Sequence, residues 1–167
     1  MNAIVAVDKN WGIGRNNGLL AHIPEDMRFF RQMTLGKTVI LGRKTLQSFP
    51  GGQPLKDREH LVLSRRGDFP YADQVRVFAD LASLLRAAAE RDPESLMVIG
   101  GAQVYWQLLP YCARAYVTMI DAAYPADAHF PDLSADSRWV LTEQGERMEH
   151  EGVFYRHCIF ENQEIKA

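Results

Sequence analysis

A chain of 167 residues can bury a sizeable core without disulfide or metal staples, and it suits one domain over residues 1–167. Its 47% apolar and 24% charged residues are ordinary for a soluble globular protein, and a net charge of -2 leaves no electrostatic footprint for nucleic acid. No stretch approaches membrane-spanning length, and the apolar run at the N-terminus is too short for a signal-peptide core, so no membrane role and a cytoplasmic location are expected.

In chain order, Ala3 to Val7 is apolar on both faces and reads as a central, doubly buried strand. Asp8 to Gly18 carries Gly12, Gly14, Asn16, Asn17 and Gly18, residues that tolerate positive φ, and predicts a long mobile loop. Pro24 then opens a helix running to about Met33, with Glu25 and Asp26 in the first turn, where the macrodipole favours acids. Lys37 to Leu41 is a second buried strand ended by Gly42, and a short helix follows near Arg43 to Gln47. Phe49 to Pro54 is a turn-rich loop, and Leu61–Ser64 and Val75–Phe78 are the next strands.

Asp80 is placed to cap a helix from Leu81 to Glu90, with Leu81, Leu84, Leu85 and Ala88 at helical spacing. Leu96 to Ile99 is a fifth strand that runs into Gly100-Gly101 and a helix ending before Pro110. Ala115–Ile120, Trp139–Thr142 and Val153–Phe160 are strands, with no long helix between the last two. Eight strands and four helices in this order predict an α/β fold. The sheet is central and mostly parallel, helices flank both faces, and the C-terminal edge is antiparallel.

Cys112 and Cys158 lie far apart and read as two reduced thiols; no metal site is expected. His22, His60, His129, His150 and His157 show no ligand spacing and read as surface or packing residues. Ser48 and Ser64 lack a Gly-x-Ser-x-Gly context, which argues against a nucleophilic hydrolase.

In open α/β sheets ligands bind beyond the carboxyl ends of the strands. There stand Gly42-Arg43-Lys44-Thr45, Ser64-Arg65-Arg66 and Gly100-Gly101. Taken alone, the glycine pair is more simply a tight strand-to-helix turn than a phosphate cradle. Arg43, Lys44, Thr45, Ser64 and Arg65 suit a phosphate monoester, and a solvated basic surface explains them equally well. Asp26 shares a helix face with Phe29, Phe30 and Met33, which aims its carboxyl at an apolar cleft. An acid favoured by the helix dipole is the simpler explanation, and Glu25 fits it as well.

Together these segments resemble dihydrofolate reductases over nearly the whole chain. The matching blocks are Ile4–Asp8, Gly12-Ile13-Gly14 with Asn17, Ile23–Met27 with Phe30, and Gly42–Thr45. They continue with Pro54-Leu55 and Arg58, Leu63-Ser64-Arg65, Val98–Tyr105, Thr118–Asp121 and His129-Phe130-Pro131. Several are weak alone; their order and separations are highly specific.

The resemblance implies reduction of 7,8-dihydrofolate to tetrahydrofolate with NADPH, serving one-carbon and thymidylate metabolism. It implies a target for antifolates, while the lack of an evident exposed apolar stripe makes a monomer the expectation. Asp26 would be the pocket's single acid, bonding the pterin N3 and 2-amino groups, with Thr118 supporting it. Ile4 and Ile99 would offer carbonyls to the pterin, with Val5 also among the substrate contacts. Met27, Phe30, Phe49 and Leu55 would line the apolar wall, Arg58 would hold the glutamate α-carboxylate, and Arg31 would stand near the tail.

For the cofactor, the resemblance puts Ala6 and Ile13 at the nicotinamide carboxamide and Tyr105 beside the ring, where it also borders the substrate. Gly14, Asn17, Gly18 and Leu19 belong to a closing loop with Leu19 as its gate. Gly100, Gly101, Ala102, Gln103 and Val104 would form the pyrophosphate turn, with a cis bond between the glycines. Gly42, Arg43, Lys44, Thr45, Leu63, Ser64 and Arg65 would surround the adenosine end and its 2′-phosphate, and Ile99 would lie between the two ligands.

Two departures stand out. Many members carry Leu-Pro-Trp before the acidic helix, and this chain has Leu19-Leu20-Ala21, without the indole that usually holds a water near the acid. Gln53 stands where some members carry Arg. The competing readings are a related NADPH reductase of another heterocycle, such as the pyrimidine reductase of flavin synthesis, and a catalytically silent nucleotide-binding module.

Overall fold

A computed structural model describes all residues from 1 to 167. The sheet is built from β1 (Asn2–Val7), β3 (Thr38–Gly42), β4 (Glu59–Leu63), β5 (Arg76–Phe78), β6 (Leu96–Gly100), β7 (Arg114–Ile120), β9 (Trp139–Gln144), β10 (Met148–His150) and β11 (Val153–Asn162). A separate two-stranded ribbon pairs β2 (Gly12–Gly14) with β8 (Ala128–His129). The helices are α1 (Pro24–Thr34), α2 (Arg43–Gln47), α3 (Leu81–Ala88) and α4 (Ala102–Leu108).

The strand order is β10-β11-β7-β1-β6-β3-β4-β5, with β9 also pairing β11. From β7 to β5 every neighbouring pair is parallel, and β11 runs antiparallel to β7. β9 and β10 lie end to end along one side of β11, so nine strands fill eight positions. The mostly parallel sheet with an antiparallel C-terminal edge is as the sequence predicts; β10 is an addition. Its three residues are too few to show a period.

Side-chain alternation assigns the helices to faces. Ala3, Val5 and Val7 of β1 join Ile40, Leu61 and Val98 in one cluster, with Leu84 of α3 and Leu108 of α4. Ile4 joins Val39, Leu41, Val62, Met97 and Ile99 on the other face, under Phe29, Phe30 and Met33 of α1 and Leu46 of α2. Two helices thus cover each face, and the central strands are apolar on both sides for that reason. No helix is long and apolar enough to cross a membrane.

The expected loop from Asp8 to Gly18 is firmer at its root than its composition suggests. The buried Asp8 accepts from the N–H groups of Asn10 and Gly12 through Oδ1 and of Tyr124 through Oδ2, at 2.8–3.0 Å. Trp11 is buried against Phe130 and Phe160. The β2–β8 ribbon follows directly. The tip differs: Asn16 and Asn17 take positive φ, Arg15 and Gly18 close a turn, and Leu19 is 69% exposed.

Between β9 and β10 the chain passes very close to β11. Gly145 N–H donates to the His157 carbonyl at 2.8 Å, and a Cβ on Gly145 would lie 2.7 Å from that oxygen. Gly145→Ala is therefore expected to push the two backbones apart and destabilise the fold by about 1–3 kcal/mol. A lowered urea midpoint with an unchanged slope would report it; an unmoved midpoint would contradict it.

Candidate active site

Helix α1 starts with Pro24 at its first position, where a missing N–H costs nothing, so the next turn is fixed in orientation. That turn aims Asp26 inward. Thr118 Oγ1 of β7 donates to Asp26 Oδ1 at 2.6 Å, and His157 Nδ1 of β11 lies 2.9 Å from the same hydroxyl. β7 and β11 pair with Thr118 directly opposite His157, which brings the two side chains together. Burial raises the Asp26 pKa above the ordinary carboxylate range, opposed by the Thr118 hydrogen bond and then by His157.

Ala6, Ile13, Leu19, Ala21, Asp26 and Met27 line one cleft. It opens at the carboxyl ends of β1 and β7, where parallel sheets hold ligands. Phe30, Phe49 and Leu55 are half-buried and pack against the cluster that holds Ile4 and Ile99, forming an apolar wall next to it. Val5 points to the opposite face of the sheet, so only its backbone borders this side. Met27 is 46% exposed, and Arg31 is exposed further along α1.

Arg58 is half-buried and directed by two bonds: Nε donates to Thr34 Oγ1 at 2.9 Å and Nη1 to the Lys56 carbonyl at 2.8 Å. Burial and then the nearby Arg31 lower its pKa, so both cations favour an anion between them. The buried His60 shapes this loop. Its Nε2 accepts from Leu55 N–H at 3.0 Å, so Nδ1 carries the proton that faces the Arg58 carbonyl at 3.1 Å. Gln53 Nε2 donates outward to Tyr71 Oη at 3.3 Å.

The cation-rich strand ends are drawn together by register, since Gly42 of β3 pairs with Leu63 of β4. This sets Arg43, Lys44 and Thr45 beside Ser64 and Arg65. Arg43 donates to Gln47 Oε1 at 3.0 Å, and Lys44 and Arg65 are exposed, whereas Arg66 is taken up by Asp68 at 3.3 Å. Asn17 Nδ2 reaches over from the loop tip to the Lys44 carbonyl at 2.9 Å.

The Gly100–Gly101 peptide bond is cis, and Gly100 has a φ of 119°. A Cβ on Gly101 would lie 3.1 Å from Thr45 Oγ1, and one on Gly42 would lie 3.3 Å from Val104. The two glycine-bearing turns therefore touch, which local sequence signals do not reveal. Ala102 and Gln103 open α4 at the surface, and no side chain caps the starts of α2 or α4. Tyr105 is buried and donates from Oη to the Ile4 carbonyl at 2.6 Å; a carbonyl oxygen keeps a second lone pair for another donor.

Sequence reasoning missed His60 and His157 as polar partners. Neither has a spacing signal; their roles come from a loop fold and a strand register.

A family model described as dihydrofolate reductase matches residues 1–163. The chain belongs to the dihydrofolate reductase family. A dihydrofolate reductase of Bacillus subtilis is 36% identical over 160 residues, covering 95% of this chain and 92% of its own. That of Neisseria gonorrhoeae is 38% identical, with 91% of each chain covered. In three dimensions the chain is similar to a dihydrofolate reductase from Enterococcus faecalis complexed with NADP(H) and RAB-propyl, with TM-score 0.85 and 29% identity over 96% of this chain and 95% of that one. The reading as a flavin-pathway pyrimidine reductase gains no support from these dihydrofolate reductases.

The raised Asp26 pKa has a consequence for stability. The folded state holds this proton more tightly than the unfolded chain, whose aspartates titrate at about 3.9. Stability is therefore lost as pH rises through the folded value, and the ionised acid is a burden at neutral pH. Asp26→Asn is expected to melt higher than the parent near neutral pH, with the gap closing as the pH falls below that raised value. Melting temperature against pH checks this; a constant gap would contradict it.

Proposed function

We propose that this chain reduces 7,8-dihydrofolate to tetrahydrofolate with NADPH, acting as a single-domain cytoplasmic monomer over residues 1–167. The observation that carries the reading is a desolvated carboxyl, Asp26, held by Thr118 at one wall of an apolar cleft, in a chain of the dihydrofolate reductase family.

The residues fit the two ligands. A carboxylate offers two acceptor oxygens, and the pterin's N3–H and 2-amino group offer two parallel donors. Phe30, Phe49 and Leu55 would bury the aminobenzoyl part. Arg58, aimed by Thr34 and Lys56, would take the glutamate α-carboxylate, with Arg31 adding positive potential. Antifolates of the same shape would use the same groups.

For NADPH, the touching turns at Gly42–Thr45 and Gly100–Val104 supply close backbone approach and open helix starts, which suit a pyrophosphate. Arg43, Lys44 and Arg65 suit the extra phosphate of the adenosine end, whereas the Ser64 hydroxyl donates to the Arg66 carbonyl at 2.7 Å and would have to turn to join them. Ala6 and Ile13 border the cleft where the nicotinamide would meet the pterin. NADPH, when bound, supplies the hydride for pterin C6. The protein's share is to hold the two flat rings face to face, exclude water with the Gly14–Leu19 tip, and favour protonation of N5 through the charge of Asp26. The proton itself reaches N5 from water.

The test is loss of the reduced-nicotinamide absorbance when protein, NADPH and dihydrofolate are mixed. Turnover with both substrates is expected; cofactor binding without turnover would refute the reading. Asp26→Asn should lose about a hundredfold or more in turnover near neutral pH while still binding NADPH. Full activity of that variant would remove Asp26 from the mechanism.

The basic cluster makes a separate prediction. NADPH should be preferred to NADH in kcat/KM, and Arg65→Ala should narrow that preference by about tenfold or more. Equal use of the two cofactors by the parent protein would assign the cluster another role.

A further inference from the structure

We infer that His157 is a positioning residue for Asp26, acting through the Thr118 hydroxyl as the far end of a directed hydrogen-bond chain. The inference rests on the reading of Asp26 as the acid of the pocket.

The geometry fixes the direction of the chain. Thr118 has one hydroxyl proton, and it points at Asp26 Oδ1 over 2.6 Å. The 2.9 Å contact to His157 Nδ1 then needs its proton from the imidazole, so Nδ1–H donates to Thr118 Oγ1. His157 Nδ1 stands 3.8 Å from Asp26 Oδ1, too far for a direct bond, so the influence passes through the hydroxyl. A hydroxyl that accepts a hydrogen bond is a stronger donor, which favours the ionised carboxyl. Without the histidine, the Thr118 rotor loses the partner that selects this orientation.

The ring is held for the task. It stacks on Phe29 of α1 with centroids 4.1 Å apart, and Tyr155 meets it edge-on at 5.8 Å. Burial disfavours its charged form and Asp26 favours it. Of the other charged groups nearby, Glu25 and Arg28 of α1 act on Tyr155, and Glu25 faces His150 of β10 at 3.6 Å. Asp26 is the one acting on His157 itself.

Two NMR measurements on the full chain test this, and neither needs substrate. Proton–nitrogen correlation should show His157 protonated at Nδ1 and bare at Nε2 while Asp26 is ionised; the opposite tautomer overturns the inference. Titration of the isotope-labelled Asp26 carboxyl should move to higher pH in His157→Phe, which keeps a ring against Phe29. It should return towards the parent curve in His157→Asn, whose amide N–H can stand in for Nδ1–H. In a Thr118→Val background, His157→Phe should move the curve no further. A Phe variant that leaves the curve unmoved or shifts it down overturns the proposal, as does an Asn variant displaced as far as Phe. Failure of the Asp26 role itself would show separately, as undiminished turnover of Asp26→Asn.

Discussion

The cost of keeping one carboxyl half out of water governs the construction of this site. Moving an ionised carboxylate into a protein interior costs several kcal/mol even after relaxation. A hydrogen bond to a charged group returns about 1.5–3 kcal/mol. With Thr118 as the hydrogen-bond partner of Asp26, desolvation wins, and the acid is left easier to protonate than an ordinary one. A ligand with two parallel N–H donors would reverse that balance, which makes the cleft selective for such an edge. On the proposed function, binding and charge state would be the same physical event at this residue.

Such an arrangement tolerates little slack. A helix turns about 100° per residue, so a slip of one position in α1 would present Met27 in place of the acid. Pro24 fixes the start of the helix, while Phe30 and Met33 lock its underside onto the apolar cluster on that face of the sheet. The opposite requirement holds in the loop after β1. Its root is tied by Asp8 and by the buried Trp11, whereas its tip has Leu19 in solvent and is held by two bonds involving side chains, Asn17 Nδ2 to the Lys44 carbonyl and Asn16 N–H to Asp127 Oδ2. The closing movement proposed for the tip would turn on a firm root and leave β1 undisturbed.

Much of this was readable from the chain, and the unreadable parts share one cause. The parallel strands were legible because burial on both faces leaves continuous apolar runs such as Leu96–Ile99, and the helices because Leu81, Leu84, Leu85 and Ala88 repeat at 3–4 residues. The positive φ at Asn16 and Asn17 was legible because few other side chains accept it. The β2–β8 ribbon and β10 were not, since two- or three-residue strands carry no period and owe their existence to partners far along the chain. His157 reads as a packing residue until the β7–β11 register sets it opposite Thr118. His60 likewise acquires meaning only when the loop returns Leu55 N–H to its ring.

The replacement of the family's frequent Trp by Ala21 bears on the same balance. An indole there usually holds a water near the acid; this chain puts a methyl group at the cleft, packed with Ile23, Ile120 and Tyr155. On that side the surroundings of Asp26 are apolar. Its polar support comes from the sheet side, through Thr118 and the imidazole behind it. A single-sided support occupies one lone pair of Oδ1 and leaves Oδ2 and the rest of Oδ1 open to a ligand with two donors. The acid's affinity for a proton then depends more on the direction of one hydroxyl than in a site with a second donor. That dependence is why a histidine that never reaches the carboxyl can still set its behaviour.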